Sequence, residues 1–183
     1  MRQNAGMNGT SRPRRALSDE HAEILREAIT MVLYVSVVEI AELAALPESH
    51  VANGQVTGPV SSQLLAIVWG TAVGLAIAHW FAFRLAARAF RGEGPTRQDT
   101  YIGLAQVGAA IFVAAVSSLP VLLLSDVRAQ ELTGDVPAIL IGIVGYLIAR
   151  YSGKSRLPSA LYGITALAIG VLVALVKSVL AAH

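Results

Sequence analysis

Five long apolar segments divide the chain, and polar stretches rich in glycine and proline separate them. We predict membrane-spanning helices over about 28–46, 64–85, 101–124, 136–151 and 159–181. A helix needs about 20 mainly apolar residues to cross the bilayer core, and most of these segments reach that length. The fourth is the shortest, and it spans only with its flanking residues or where the bilayer thins. The predicted fold class is therefore all-α, an integral membrane bundle of about five transmembrane helices.

Prolines indicate one kink and one helix start. Pro120 lies inside the third segment, where Ser117 and Ser118 can bond the carbonyl groups that it frees, so we predict a kink there. A short loop is predicted over 125–135. Pro137 follows this loop, and because proline suits the first turn of a helix, it is predicted there in the fourth span.

The N-terminal stretch has no apolar period. Residues 1–17 are rich in Asn, Gly, Ser and Arg, and we predict a disordered, basic cytoplasmic tail followed by a single transmembrane domain over 18–183. A secretory signal is not expected. The polar run Ser18-Asp-Glu-His21 separates the arginines from the first apolar segment, which ends in Leu46-Pro47 instead of a small-residue cleavage site.

The composition agrees with a membrane location. Only 14% of the 183 residues are charged, against about 25% in soluble domains, and the mean hydropathy is +0.61. The prediction is a multi-pass protein of the cell membrane whose first partner is the lipid bilayer. The chain has no cysteine, which excludes disulfides and thiolate metal sites. No metal, cofactor or nucleic-acid partner is expected.

Lysine and arginine alternate between the polar segments. The N-terminal tail and the loops after the second and fourth spans are basic, whereas the loop after the first span has no basic residue. The loop after the third span has only Arg128, against Asp126, Glu131 and Asp135. Because cytoplasmic loops carry the excess of basic residues, we predict the N-terminus inside and the C-terminus outside.

Glu39 and Glu42 are the most informative side chains, because both lie inside the first predicted span. Their spacing places them on one helix face, and Ser36 lies one turn before Glu39 on the same side. An ionised carboxylate costs about 2.5–3.5 kcal/mol in a membrane helix, so a partner, water or protonation must offset it. We predict a cation or proton site that faces the bundle interior or an oligomer axis. The alternative is a structural carboxylate bonded to a neighbouring helix.

His79 lies in the inner half of the second span and is a possible second station of the same pathway, because histidine titrates near neutral pH. It lies about 10 Å deeper than Glu39, so no direct bond between them is expected unless the helices slide or tilt. The alternative is a packing histidine beside Trp80. Gln106, in the third span, is expected to bond across helices.

Arg84, Arg88 and Arg91 share one face at the end of the second span. They are expected to anchor the helix by binding lipid phosphates. The alternative is an inner vestibule that collects anions.

Small residues recur at intervals of four in three spans, a pattern that lets helices approach closely within a subunit or between subunits. The three stripes are Gly70-Gly74-Ala78, Ala110-Ala114-Ser118 and Ala166-Gly170-Ala174.

The leading functional hypothesis is a small channel or transporter for a cation or protons that acts as a homo-oligomer. The alternative is a non-transporting scaffold, assembly factor or subunit of a larger membrane complex. An enzyme is not expected. The motifs His-Glu-x-x-His and Gly-x-Ser-x-Gly are absent from the sequence, and so is the glycine-rich phosphate loop.

Overall fold

The computed structural model describes residues 19–47, 50–52, 55–91, 96–124 and 126–181, which form six helices and one small hairpin. The predicted tail over 1–17 lies outside the described residues. The elements are α1 Asp19–Leu43, β1 His50–Ala52, β2 Gln55–Thr57, α2 Ser61–Arg91, α3 Arg97–Ser117, α4 Leu119–Leu123, α5 Asp126–Tyr151 and α6 Arg156–Ala181.

Four of these helices are long and apolar enough to cross a membrane, so the helical fold is compatible with the predicted membrane bundle. Their spanning segments are Ser61–Ala86, Arg97–Leu123, Arg128–Tyr151 and Arg156–Val173. Helix α1 has 25 residues but is not among the four. It is long enough, but Arg26, Glu27, Glu39 and Glu42 interrupt its apolar sequence.

Helix α1 is nonetheless at the centre of the bundle, since it packs against α2, α3, α5 and α6. Its buried face includes Met31 and Val35, which are 1% and 0% exposed. These side chains join one apolar core with Leu64 and Val68 of α2 and Val113 of α3. The most polar long helix is therefore also the one that the others surround.

The long helices run in alternating directions. The indole of Trp69 bonds to Ser118 and that of Trp80 packs on Gly103, so α2 and α3 are antiparallel. Hydrogen bonds join Glu27 to Gln106 and Glu39 to Ser117, so α1 and α3 are parallel.

At the other side of α1, helix α5 runs antiparallel to it. Gln130 donates to the Pro47 carbonyl near the start of α5, and Ile141 packs on Ile40 further along.

The predicted kink at Pro120 is confirmed. Helix α3 ends at Ser117, and α4 begins at Leu119 with Pro120 in its first turn. The Ser118 hydroxyl donates to the Ala114 carbonyl at 2.7 Å, one turn earlier. Proline lacks the N–H that would continue the ladder, so the chain restarts as a second short helix.

The predicted loop over 125–135 is wrong, because α5 already begins at Asp126 and holds Pro137 in its interior. Ala129, Thr133 and Pro137 follow at intervals of four, and all three are buried, so the apolar face of α5 continues through the supposed loop. The Thr133 hydroxyl donates to the Ala129 carbonyl at 2.5 Å. Burial of this stripe outweighs the cost of the internal proline.

Helices α5 and α6 form a helical hairpin, and glycine makes their contact close. A Cβ at Gly163 would lie 2.7 Å from the Gly142 carbonyl, and one at Gly145 would lie 2.8 Å from the Ala166 Cβ. The connection turns at Gly153, whose φ of 84° is a left-handed conformation that favours glycine.

The polar loop after α1 holds an antiparallel hairpin that the sequence analysis did not predict. His50 pairs with Thr57, Val51 with Val56 and Ala52 with Gln55. It links the end of α1 to the start of α2.

Candidate functional site

Four carboxylates along α1 accept hydrogen bonds from side chains of α2 and α3. The partners are Gln98 Nε2 for Glu23 at 2.6 Å, Gln106 Nε2 for Glu27 at 3.1 Å, Ser117 Oγ for Glu39 at 2.7 Å, and Thr71 Oγ1 for Glu42. Intervals of three, four and twelve along the sequence bring these carboxylates to the faces of α1 that α2 and α3 cover. We call Ser36, Glu39, Glu42, Thr71 and Ser117 the hydroxyl–carboxylate cluster.

The two groups of carboxylates differ in their surroundings. Glu23 and Glu27 lie near Arg26 in the N-terminal part of α1, in partly exposed ion pairs of 3.9 and 3.3 Å. Within the part of the chain that the structure describes, Glu39 and Glu42 pair with no cation. Their contacts are neutral hydroxyls, which solvate a carboxylate without cancelling its charge.

Glu39 is the most deeply buried of these groups. It is 0% exposed, as is Ser117, which donates to its Oε2 atom. The second oxygen, Oε1, is buried and has no hydrogen-bond partner among the described residues. A buried polar atom without a partner usually costs about 1–3 kcal/mol, so this oxygen is a candidate acceptor for a proton, a cation or a hydrogen bond from water.

Ser36 lies one turn before Glu39 on α1, as predicted, and it is also 0% exposed. Its Oγ atom likewise has no partner in the described part of the chain. Ser36 and Glu39 therefore bring two unsatisfied oxygens to the same buried face of one helix.

Glu42 is closer to the end of α1 and is partly exposed. Its hydroxyl partner Thr71 follows Ala66 and Ile67 on α2, which line an open depression at this end of the bundle. The remaining walls of the depression are Leu46, Pro47, Gly58, Pro59 and Gln63. Glu42 thus lies between this surface and Glu39.

An apolar layer separates Glu39 from the opposite end of α1. Met31 and Val35 fill the space between Glu27 and Ser36, and both are almost completely buried. Glu27 and Glu39 are twelve residues apart, about 18 Å along the helix. The hydroxyl–carboxylate cluster is therefore closer to the C-terminal end of α1, which the β1–β2 hairpin follows.

His79 does not contact Glu39. It is partly exposed and forms no hydrogen bond with any described residue. Thr71 marks the level of Glu42 on α2, and His79 lies eight residues beyond it, about 12 Å further along the axis. The absence of a direct bond agrees with the sequence-based expectation, and the role of His79 as a second station stays a prediction.

Arg84 and Arg88 are exposed at the far end of α2. The Arg84 guanidinium lies over the Trp80 ring, 4.5 Å from its centroid. The side chain of Arg91 lies outside the described residues. These arginines belong to the end of α2 opposite Thr71 and are not part of the hydroxyl–carboxylate cluster.

Sequence analysis missed several partners in the cluster. The sequence pattern connects Ser117 only with the proline kink, and it does not distinguish Thr71 from other hydroxyl residues of the apolar spans. Gln106 does bond across helices, as predicted, through Glu27. Its amide oxygen is buried and without a partner among the described residues.

The donor set limits the ligand class. No group of three or more His, Cys, Asp or Glu side chains is close enough to hold a metal ion within the described ranges. One buried carboxylate with neighbouring hydroxyls suits a proton or a monovalent cation better than Ca²⁺ or Mg²⁺, which take six or more oxygen ligands. No protein-family model matches the chain, and comparison with curated proteins and with solved structures gives no significant match.

Proposed function

We propose that this protein is a small membrane channel or transporter for protons or a small monovalent cation, with Glu39 as its central group. The observation that carries the proposal is the buried Glu39 carboxylate, which has one hydroxyl donor and one unpartnered oxygen. In membranes such a carboxylate is costly and marks ion or proton pathways.

Helix α1 acts as the first of five membrane spans in this proposal. Its carboxylates at Glu39 and Glu42 face α2 and α3, so they meet hydroxyl groups and not lipid. The N-terminus lies in the cytoplasm and the C-terminus outside, because the polar segments alternate in basic content and the helices alternate in direction. Glu42 and Thr71 then lie toward the outer surface, and ions reach Glu39 from that side.

The active form is a homo-oligomer. Gly70, Gly74 and Ala78 form an exposed stripe on α2, and no described atom lies within 4 Å of a Cβ built on either glycine. A stripe of small residues that is unused within the subunit supports close packing between subunits. A shared axis also supplies the space for a pathway, which five helices alone do not enclose easily.

Flux into liposomes tests the proposal. Purified protein is reconstituted, and proton entry is followed with an enclosed pH dye while sodium uptake is followed with a tracer. We expect flux of one of these ions through the wild type and the level of protein-free liposomes for Glu39→Gln, which keeps the size and one acceptor oxygen.

The matched control is Glu20→Gln, the same change at an exposed position on the same helix. It should transport as the wild type does. A wild-type flux equal to that of protein-free liposomes for both ions would overturn the proposal and leave Glu39 as a structural carboxylate of a non-transporting membrane protein. Full flux through Glu39→Gln would exclude Glu39 from the pathway.

A further inference from the structure

An apolar groove of about 130 Å³ runs along the outside of the bundle between α2 and α3. Ala72, Ala76 and Ala110 are buried and form its floor, while larger and more exposed side chains form its rim. The rim consists of Trp69, Val73, Ile77, Trp80, Val107 and Ile111.

The two tryptophans on this rim are fixed by polar and backbone contacts. Trp69 Nε1 donates to the Ser118 hydroxyl at 3.0 Å. Trp80 packs closely against Gly103 of α3, because a Cβ at Gly103 would lie only 2.8 Å from the Trp80 Cδ1 atom. The groove is therefore built by defined contacts.

A cation lies directly at one end of the groove. The Arg84 guanidinium stacks on Trp80 at 4.5 Å, and the side chain is exposed. It forms no ion pair with a carboxylate of the described residues. Stacking uses the face of the guanidinium and leaves its N–H edge free to donate to an anion. Arg88, one turn further, is also exposed.

We propose that this groove binds an acyl chain of an anionic phospholipid whose phosphate is held by Arg84. Trp80 contacts the Arg84 guanidinium and also lines the apolar groove. The charged group therefore adjoins the apolar surface, as the phosphate of a phospholipid adjoins its acyl chains. From Arg84 to Val73 the helix rises about 16 Å, roughly half of the ~30 Å bilayer core. This is the depth of one leaflet. An apolar helix from a second copy would fill the groove but would leave Arg84 without an anionic partner.

The chain offers a direct readout, because its only two tryptophans both line the groove. The protein is reconstituted in phosphatidylcholine vesicles with a minor fraction of phosphatidylglycerol, and the acyl chains of one lipid or the other carry bromine, which quenches tryptophan. Trp69→Phe leaves Trp80 as the single reporter, and Trp80→Phe leaves Trp69. Quenching is normalised to unbrominated vesicles for each variant.

We expect phosphatidylglycerol to be enriched about fivefold at Trp80 over its bulk fraction, the preference that one basic side chain at the surface supplies. Trp69 lies more than one leaflet depth from Arg84, so no phosphatidylglycerol preference is expected there. Arg84→Gln should abolish the preference at Trp80. Arg156→Gln, an exposed arginine at the start of α6, should leave it unchanged.

A second pair of variants tests the groove separately from the charge. Ala76→Leu raises the floor and should reduce the preference at Trp80, whereas Ala168→Leu on an exposed face of α6 should not. Absence of enrichment at Trp80 in the otherwise wild-type protein overturns the proposal. The proposal is also overturned if Arg84→Gln and Arg156→Gln lose the phosphatidylglycerol preference at Trp80 to the same extent. It is overturned as well if this preference is unchanged in Ala76→Leu. Protection of both tryptophans from both brominated lipids would assign the groove to a second copy instead.

Discussion

The hydroxyl of Ser117 donates a 2.7 Å hydrogen bond to the Glu39 carboxylate across a sequence separation of 78 residues. Both residues are completely buried, and the pair joins α1 to α3 just before the break at Ser118. The bond therefore holds α1 against α3 close to the kink between α3 and α4.

Removal of this donor should destabilise the bundle. Ser117→Ala leaves both Glu39 oxygens without a partner, and we expect the free energy of unfolding to fall by about 1–3 kcal/mol. Reversible unfolding in mixed detergent micelles measures this change. The control is Ser152→Ala, an exposed serine that bonds within its own turn and should have little effect. Equal stability of Ser117→Ala and the wild type would show that the hydrogen bond contributes nothing.

Close packing of α5 and α6 predicts a large effect of one methyl group. Gly163→Ala places a Cβ 2.7 Å from the Gly142 carbonyl, so the helices must separate, at a cost of about 1–3 kcal/mol. Gly108→Ala is the matched control, because no described atom lies within 4 Å of its Cβ. The same unfolding assay compares them. A Gly163→Ala protein as stable as Gly108→Ala would contradict the close approach of the two helices.

The exposed glycine stripe predicts where subunits meet. Gly74→Leu should convert the proposed homo-oligomer to monomers, since a bulky side chain prevents the close approach of two α2 helices. Light scattering of the detergent-solubilised protein gives the mass of each species. Gly108→Leu, at an equally open glycine on α3, should keep the wild-type mass. Monomeric wild-type protein, or an unchanged Gly74→Leu oligomer, would exclude this interface.

Orientation can be tested directly because the chain contains no cysteine. Single cysteines at Gln63, near the start of α2, and at Ser152, between α5 and α6, are both exposed and should label on opposite sides of the membrane. With the N-terminus inside, a membrane-impermeant maleimide added to intact cells reacts at position 63 and not at 152. The reverse pattern would invert the proposed topology, and labelling at both positions would break it.

The helical framework could be predicted from sequence because long apolar runs and the kink at Pro120 depend on local properties of the chain. The start of α5 could not, since Gly134 and Pro137 are typical of loops and only the buried faces of Ala129 and Thr133 hold this stretch in a helix. Tertiary burial there outweighs local preference.

Prediction of the candidate site was limited in a similar way. The carboxylates of α1 can be recognised in the sequence because an ionised carboxylate is costly in a membrane helix. Glu39 and Ser36 are buried on one face of α1. Their partners were not identified, because a single Ser or Thr in an apolar span has many possible contacts. Which hydroxyl meets which carboxylate depends on the relative height of helices that are distant in sequence.

The central position of α1 has a consequence for how the protein is made. This helix is synthesised before α2 and α3, yet those later helices supply the hydroxyl groups that bond to Glu42 and Glu39. Until α3 has emerged, Glu39 lacks its donor, and α1 alone inserts poorly into lipid. In the proposed five-span bundle, we therefore expect α1 to integrate stably only together with these later helices.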